Sequence, residues 1–137
     1  MVQLKSPIWI PLDKTEANRA LVVRFVKTVL KGGDASNITD FISTETYIQH
    51  NPGIADGLDG LGAALAGMAE SGVTMVYTDT PVVVAEGNFV LTGSEGILGG
   101  KPTAFYDLFR VEGGKIVEHW DVISKIPSEM AHTNGKF

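Results

Sequence analysis

The sequence contains no cysteine, which removes disulfides, thiolate catalysis and cysteine-ligated metals from consideration. Positive charge is scarce as well: 11 lysines and arginines face 16 aspartates and glutamates, a formal net charge of −5. Nucleic-acid binding draws on a basic surface that displaces counterions from phosphates, so no nucleic-acid partner is expected. No unbroken apolar run approaches the roughly 20 residues needed to span a bilayer, so no membrane partner is expected either. The opening "MVQLKSPIWIPLDK" has neither the apolar core nor the small-residue cleavage site of a secretory signal. A cytoplasmic location is the resulting expectation. Phosphate-binding loops are missing, because "GILGGKP" has neither the P-loop nor the dinucleotide spacing and no helix follows it. "TGSEG" likewise departs from the G-x-S-x-G of a nucleophile elbow.

What the chain does have is enough apolar material for a core: 44% of its 137 residues are hydrophobic and 20% are charged. Without an internal repeat or a low-complexity linker, one domain over residues 1–137 is expected. Asp13 with Glu16 three residues later predicts a capped helix start. Ala17, Leu21, Val22, Phe25, Val26, Val29 and Leu30 then repeat at helical spacing, and Lys31-Gly32-Gly33 closes the run. Asp34 predicts a second, short helix reaching about Phe41. A third begins near Gly57 or Leu58, with Leu58, Leu61, Leu65, Met68 and Ala69 on one face and Gly72 as its stop. Gly60, Gly62 and Gly67 either weaken this helix or let it pack closely. From Val73 onward the pattern becomes strands joined by tight glycine turns, with Pro81 marking an edge or a bulge. Helices followed by an antiparallel meander predict an α+β fold, helices packed on one face of a curved sheet.

The stretch "KIVEHWDVI" carries the clearest chemistry. In a strand Val117, His119, Asp121 and Ile123 share one face, and Ile116, Glu118, Trp120 and Val122 the other. The preceding strand sets Phe105, Asp107, Phe109 and Val111 against Ala104, Tyr106, Leu108 and Arg110. A carboxylate among aromatics on a concave sheet is desolvated, which suits it to acid or base work near neutral pH. The same H-x-D pair also fits an ion pair on a solvated face, or two ligands of a metal site completed by His50 or His132. In "YIQHNP", His50 and Asn51 stand where an extended run enters a Pro-Gly turn, a place suited to projecting side chains into a cleft, though Asn before Pro also serves the turn itself.

"YIQHNPGIADGLDGL", "SEGILGGKPTAFYDLFRVEGGKIVEHWDVI" and the terminal "NGKF" together resemble the SnoaL-like polyketide cyclase family of the nuclear transport factor 2-like superfamily. The resemblance runs from about Asp13 to the end, and "DLFRVEGGKIVEHWDV" is its most specific part. It implies a cone in which a curved antiparallel sheet wraps a long helix and encloses a pocket, with homodimers formed through the sheet. It also implies an intramolecular aldol condensation without metal or cofactor, with Asp121 as the acid/base group and His50 and Asn51 as pocket residues. One departure stands out: several cyclases carry a histidine on the middle strand, where this chain has Gly93 and Ser94.

The expectation is therefore a cofactor-independent enzyme acting on a small hydrophobic carbonyl compound. Asp121 is the expected base, His50, His119 and Asn51 stabilise the developing enolate, and Tyr47, Phe105, Asp107 and Phe109 line the pocket. A dehydratase or isomerase in the same pocket, or a ligand-binding or dimeric module without catalysis, are the alternatives. Glu118 and Trp120 are expected to point away from the pocket.

Overall fold

The first apolar stripe winds as its spacing predicts. In the computed structural model, which describes residues 12–137, helix α1 covers Thr15–Phe25 and continues as wider π-helical turns over Val26–Lys31. Leu21, Val22, Phe25, Val26 and Val29 are all buried on its inner side. The N-terminal stretch read as lacking a secretory signal lies outside the described residues.

Two local expectations change. Asp13 does not cap α1: it sits in a short 3-10 turn, Leu12–Lys14, and no side chain caps the helix start. Glu16 pairs instead with Arg19 at 3.3 Å. The helix is anchored by tertiary bonds: Gly87 N–H donates to Thr15 Oγ1 at 2.8 Å, and buried Asn18 Nδ2 donates to Gly87 O at 2.8 Å. The short helix predicted from Asp34 shrinks to one 3-10 turn, Ile38–Asp40. Asp34 Oδ1 accepts the N–H and O–H of Ser36 instead, a local turn that competes with helix formation. Those two bonds hold the Asp34 carboxyl below its usual range.

The sheet follows. A two-residue strand β1 (Ile48–Gln49) precedes helix α2 (Gly57–Ser71), and four strands come after it: β2 (Met75–Glu86), β3 (Phe89–Leu98), β4 (Lys101–Glu112) and β5 (Lys115–Lys125). The order is β1-β5-β4-β3-β2, antiparallel except that β1 runs parallel to β5. Gly99-Gly100 and Gly113-Gly114 have positive φ at both central positions, as two-residue hairpin turns require. Pro81 falls in an irregular part of edge strand β2, between Asp79 and Val82, where its missing N–H breaks no ladder.

The inner face of β2, β3 and β4 packs against the first helix. Phe109 meets Phe25 edge-on at 5.7 Å, and Phe25 lies 5.8 Å from Phe41. Helix α2 lies over what remains open and ends at Gly72, which adopts the left-handed conformation. None of the helices among the described residues is long and apolar enough to cross a membrane.

The three glycines inside α2 separate into two kinds. A Cβ on Gly60 would fall on the Ala55 carbonyl oxygen, whereas Gly62 and Gly67 face open space. Gly62→Ala should therefore raise stability by about 0.5–1 kcal/mol through the unfolded-state entropy of glycine. Gly60→Ala should lower it by about 1–3 kcal/mol through overpacking. Urea denaturation of the two variants checks this, and equal effects would contradict it.

Candidate functional site

Between the sheet and α2 lies a cavity of about 490 Å³. Its helical wall is apolar, built from Leu61, Leu65 and Met68 of α2 with Val29 and Leu30 from the end of the first helix. Its sheet wall carries Phe105, Asp107 and Phe109 of β4 and His119, Asp121 and Ile123 of β5. The inward face of "KIVEHWDVI" is thus the one that alternation proposed, and Glu118 and Trp120 lie on the other side.

Apart from Ser71 at the end of α2, the polar side chains of the cavity form one connected set. Asn51 Nδ2 donates to both oxygens of Asp121, at 3.0 and 2.8 Å. Asn51 also serves its own turn, since its Oδ1 accepts Gly53 N–H at 2.8 Å. Gln49 Oε1 accepts the backbone N–H of Asn51 at 3.0 Å, which fixes the amide orientation because a backbone N–H can only donate. His119 Nδ1, 2.9 Å from the same oxygen, must then carry a proton and donate it. On the other side of the ring His119 Nε2 faces Asp107 Oδ1 at 2.8 Å, and Tyr77 Oη donates to Asp107 Oδ2 at 2.7 Å. Two arrangements satisfy these atoms, imidazolium with carboxylate or imidazole with carboxylic acid. Both place one proton between Nε2 and Oδ1.

The two cavity tyrosines stay protonated. Burial pushes the Tyr77 phenol well up, and the charge and hydrogen bond of Asp107 push it further. Burial likewise raises Tyr47, more than its hydrogen bond from Gln49 lowers it, and the charges of Asp107 and Asp121 add to the rise. Tyr47 Oη accepts from Gln49 Nε2 at 3.3 Å. No acceptor for its own O–H is found among the described residues, so that proton can be offered to a ligand in the cavity.

His50 does not join this set. Residues 47–51 alternate like a strand, so Tyr47, Gln49 and Asn51 enter the cavity while Ile48 and His50 face outward. The His50 ring stacks on Trp120 with centroids 4.7 Å apart and planes within 3°, and its Nε2 lies 2.7 Å from Glu118 Oε2. Its expected place beside Asp121 is corrected by that alternation. Burial alone would raise the Glu118 carboxyl, but hydrogen bonds from His50 and Arg110 and the Arg110 charge hold it below the usual range. His132, the other possible metal ligand, is exposed, and its Nδ1 accepts Asn134 N–H. Ligand atoms of Asp107, His119 and Asp121 lie within 4.8 Å of one another, close enough to surround a cation. Asp107 and His119 are already bonded to each other, so a cation would have to displace that bond.

Gln49, Ser71 and Tyr77 are the polar cavity residues that sequence reasoning missed. Gln49 could have been found, since it shares the Tyr47 and Asn51 face at a spacing of two. Tyr77 reaches Asp107 from β2 across β3, a meeting that only the sheet register creates. On the middle strand, where a histidine was noted as missing, fully buried Ser94 bonds Thr80 Oγ1 at 3.0 Å. Gly93 faces outward beneath the ring of Phe137.

Residues 22–119 match the model of the SnoaL-like domain. No curated protein matches the chain in sequence. Among solved structures, a protein of unknown function with a cystatin-like fold from Xanthomonas campestris is 26% identical, with a TM-score of 0.65 over 79% of this chain and 91% of that one. A nuclear transport factor 2-like protein from Anabaena variabilis superposes equally well, with a TM-score of 0.65 at 18% identity over 82% and 91% of the two chains. A SnoaL-like polyketide cyclase from Agrobacterium tumefaciens reaches a TM-score of 0.61 at 12% identity, over 79% and 91%. These likenesses establish the nuclear transport factor 2-like cone as the fold.

The shared proton makes a sharp distinction between two substitutions at Asp107. Asp107→Asn can accept from Tyr77 and donate to His119 Nε2, so its stability should stay within about 1 kcal/mol of wild type. Asp107→Ala leaves both partners buried and unbonded and should lose about 2–4 kcal/mol. Equilibrium urea unfolding distinguishes them; a costly Asn variant would show that the pair needs its charge and not only its hydrogen bonds.

Proposed function

The chain belongs to the SnoaL-like domain family, and on that premise we propose that it is a cofactor-independent enzyme acting on a small apolar carbonyl compound by acid/base catalysis. The observation that carries this reading is Asp121, a carboxylate oriented by the Asn51 amide at the wall of a largely apolar cavity. Aldol condensation is the reaction proposed. Asp121 takes a proton from a carbon flanked by carbonyls, and the electron pair moves onto the carbonyl oxygen. The Tyr47 O–H donates to that enolate oxygen, and a fixed neutral donor in an apolar site stabilises developing charge more than water would. The enolate carbon then attacks a second carbonyl of the same molecule, forming a C–C bond, and the resulting alkoxide recovers the proton from Asp121. Asn51 holds the base in position throughout. His119 has a supporting role, and His50 has none at the reacting atoms.

Convergence of Asp121 with His119 in a real cavity also favours an enzyme over a binding module. A second reading, an isomerase or dehydratase, draws on a specific feature: the Asp107–His119 pair holds a proton beside Asp121. One group could remove a proton and the other return it at a different position.

Asp121→Asn tests the acid/base role. On a panel of β-dicarbonyl, hydroxy-ketone and enone compounds, this variant should keep its fold and lose about 10²–10⁴-fold in turnover of any compound the wild type converts. Near-normal rates would sink the mechanism, and the products identify which reaction runs.

A homodimer formed through the sheet is proposed as well. Tyr106 and Val122, directly opposite each other on β4 and β5, leave apolar surface exposed on the outer face, where Val84 of β2 also lies open. Sedimentation equilibrium should show a dimer, and Val122→Glu should weaken it at least about tenfold by placing an unpaired charge at the interface. A wild-type monomer at high micromolar concentration would rule this out.

A further inference from the structure

We infer that His50 is a positioning residue: from the outer face of the sheet it holds β1 in register against β5, and so sets the reach of Asn51 to Asp121 and of Gln49 to His119. The starting point is the shortness of β1. Only Ile48 and Gln49 pair with β5, opposite Glu118 and His119, and His50 N–H adds one bond to His119 O at 3.0 Å. So short a pairing is marginal by itself. Yet Tyr47, Gln49 and Asn51, which hold or flank both acid/base groups, all hang from this segment.

The inner-face bonds are part-buried but line the cavity, so a ligand that enters it can compete for them. The outer face adds ties that are open to solvent at His50 but out of reach of a cavity ligand. His50 lies flat on Trp120, and Nε2 bonds the Glu118 carboxylate, whose other oxygen accepts Arg110 Nε at 2.8 Å. Arg110 is itself held by Glu112 at 2.6 Å. Through this chain β1 is tied to β5 and β4 at once. Strand alternation makes the arrangement obligatory: the residue between Gln49 and Asn51 must project outward. A slip of one residue would send Gln49 and Asn51 out and His50 in.

Calling this clamp functional rests on the reading of Asp121 and His119 as acid/base groups, but its geometry can be tested on the protein alone, without turnover. In ¹⁵N-labelled protein the His119 Nδ1–H and the Asn51 carboxamide serve as reporters. In His50→Ala the imidazole proton should exchange with solvent at least about tenfold faster, and the Asn51 amide should lose its bonded shift, while backbone exchange in α1 stays as in wild type. His50→Phe keeps the ring and His50→Gln keeps a donor to Glu118, so each should restore part of the protection. Trp120→Leu, which removes the platform from the other side, should reproduce the His50→Ala result. Wild-type signals in both His50→Ala and Trp120→Leu would overturn the inference. So would loss of α1 protection in step with the reporters, since the effect would then be general destabilisation. An Asp121→Asn variant of full activity would remove the catalytic reading and leave this result untouched.

Discussion

Two residues of parallel pairing decide what the cavity can do. With Ile48 opposite Glu118 and Gln49 opposite His119, the 47–51 segment lays three polar side chains over the inward face of β5. Asn51 then reaches Asp121, Gln49 reaches His119, and Tyr47 stands beside them. The sheet supplies the acid/base groups, and this edge segment supplies the donors and acceptors that orient them. Neither half makes a site alone.

The rest of the fold serves that meeting by making the surroundings apolar and firm. Helix α1 and the inner face of β3 to β5 build an apolar core around Phe25, Phe41 and Phe109. Within such a core a polar group is tolerated only when it is bonded, and the cavity set meets that condition almost link by link. Asp107 is buried yet bonded by both Tyr77 and His119, which satisfies both of its oxygens. Thr92, directly opposite Asp107 in the sheet, is the exception: its buried hydroxyl has no partner among the described residues. The apolar wall contributed by α2 is of a different character. It rests on glycine-rich sequence and closes the cavity with side chains, while its first residue, Gly57, donates its N–H to Tyr47 O at 3.0 Å.

The parts legible in the sequence were those where local chemistry and global fold agree. Helix α2 appeared from its leucine spacing and its glycine stop, and the strands from their turns. The inward face of β5 followed from alternation. The same rule, applied to "YIQHN", separates Gln49 and Asn51 from His50, but a strand with two paired residues gives too little periodicity to announce itself. The Asp13 cap failed for another reason. The helix start is secured by Thr15 and Asn18 bonding to Gly87, some seventy residues away, and such a contact overrides a local capping preference.

By itself the sequence determined the fold class, the alternation that presents His119 and Asp121 to one side, and the resemblance that pointed to Asp121. Those properties are carried by residues close together in the chain. Only the tertiary structure decided which groups meet. Asp107 bonds His119, Tyr77 reaches across β3 to join them, and His50 turns away to stack on Trp120. Each of these depends on strand register, and register joins residues that are distant in sequence, where no local pattern can record the pairing.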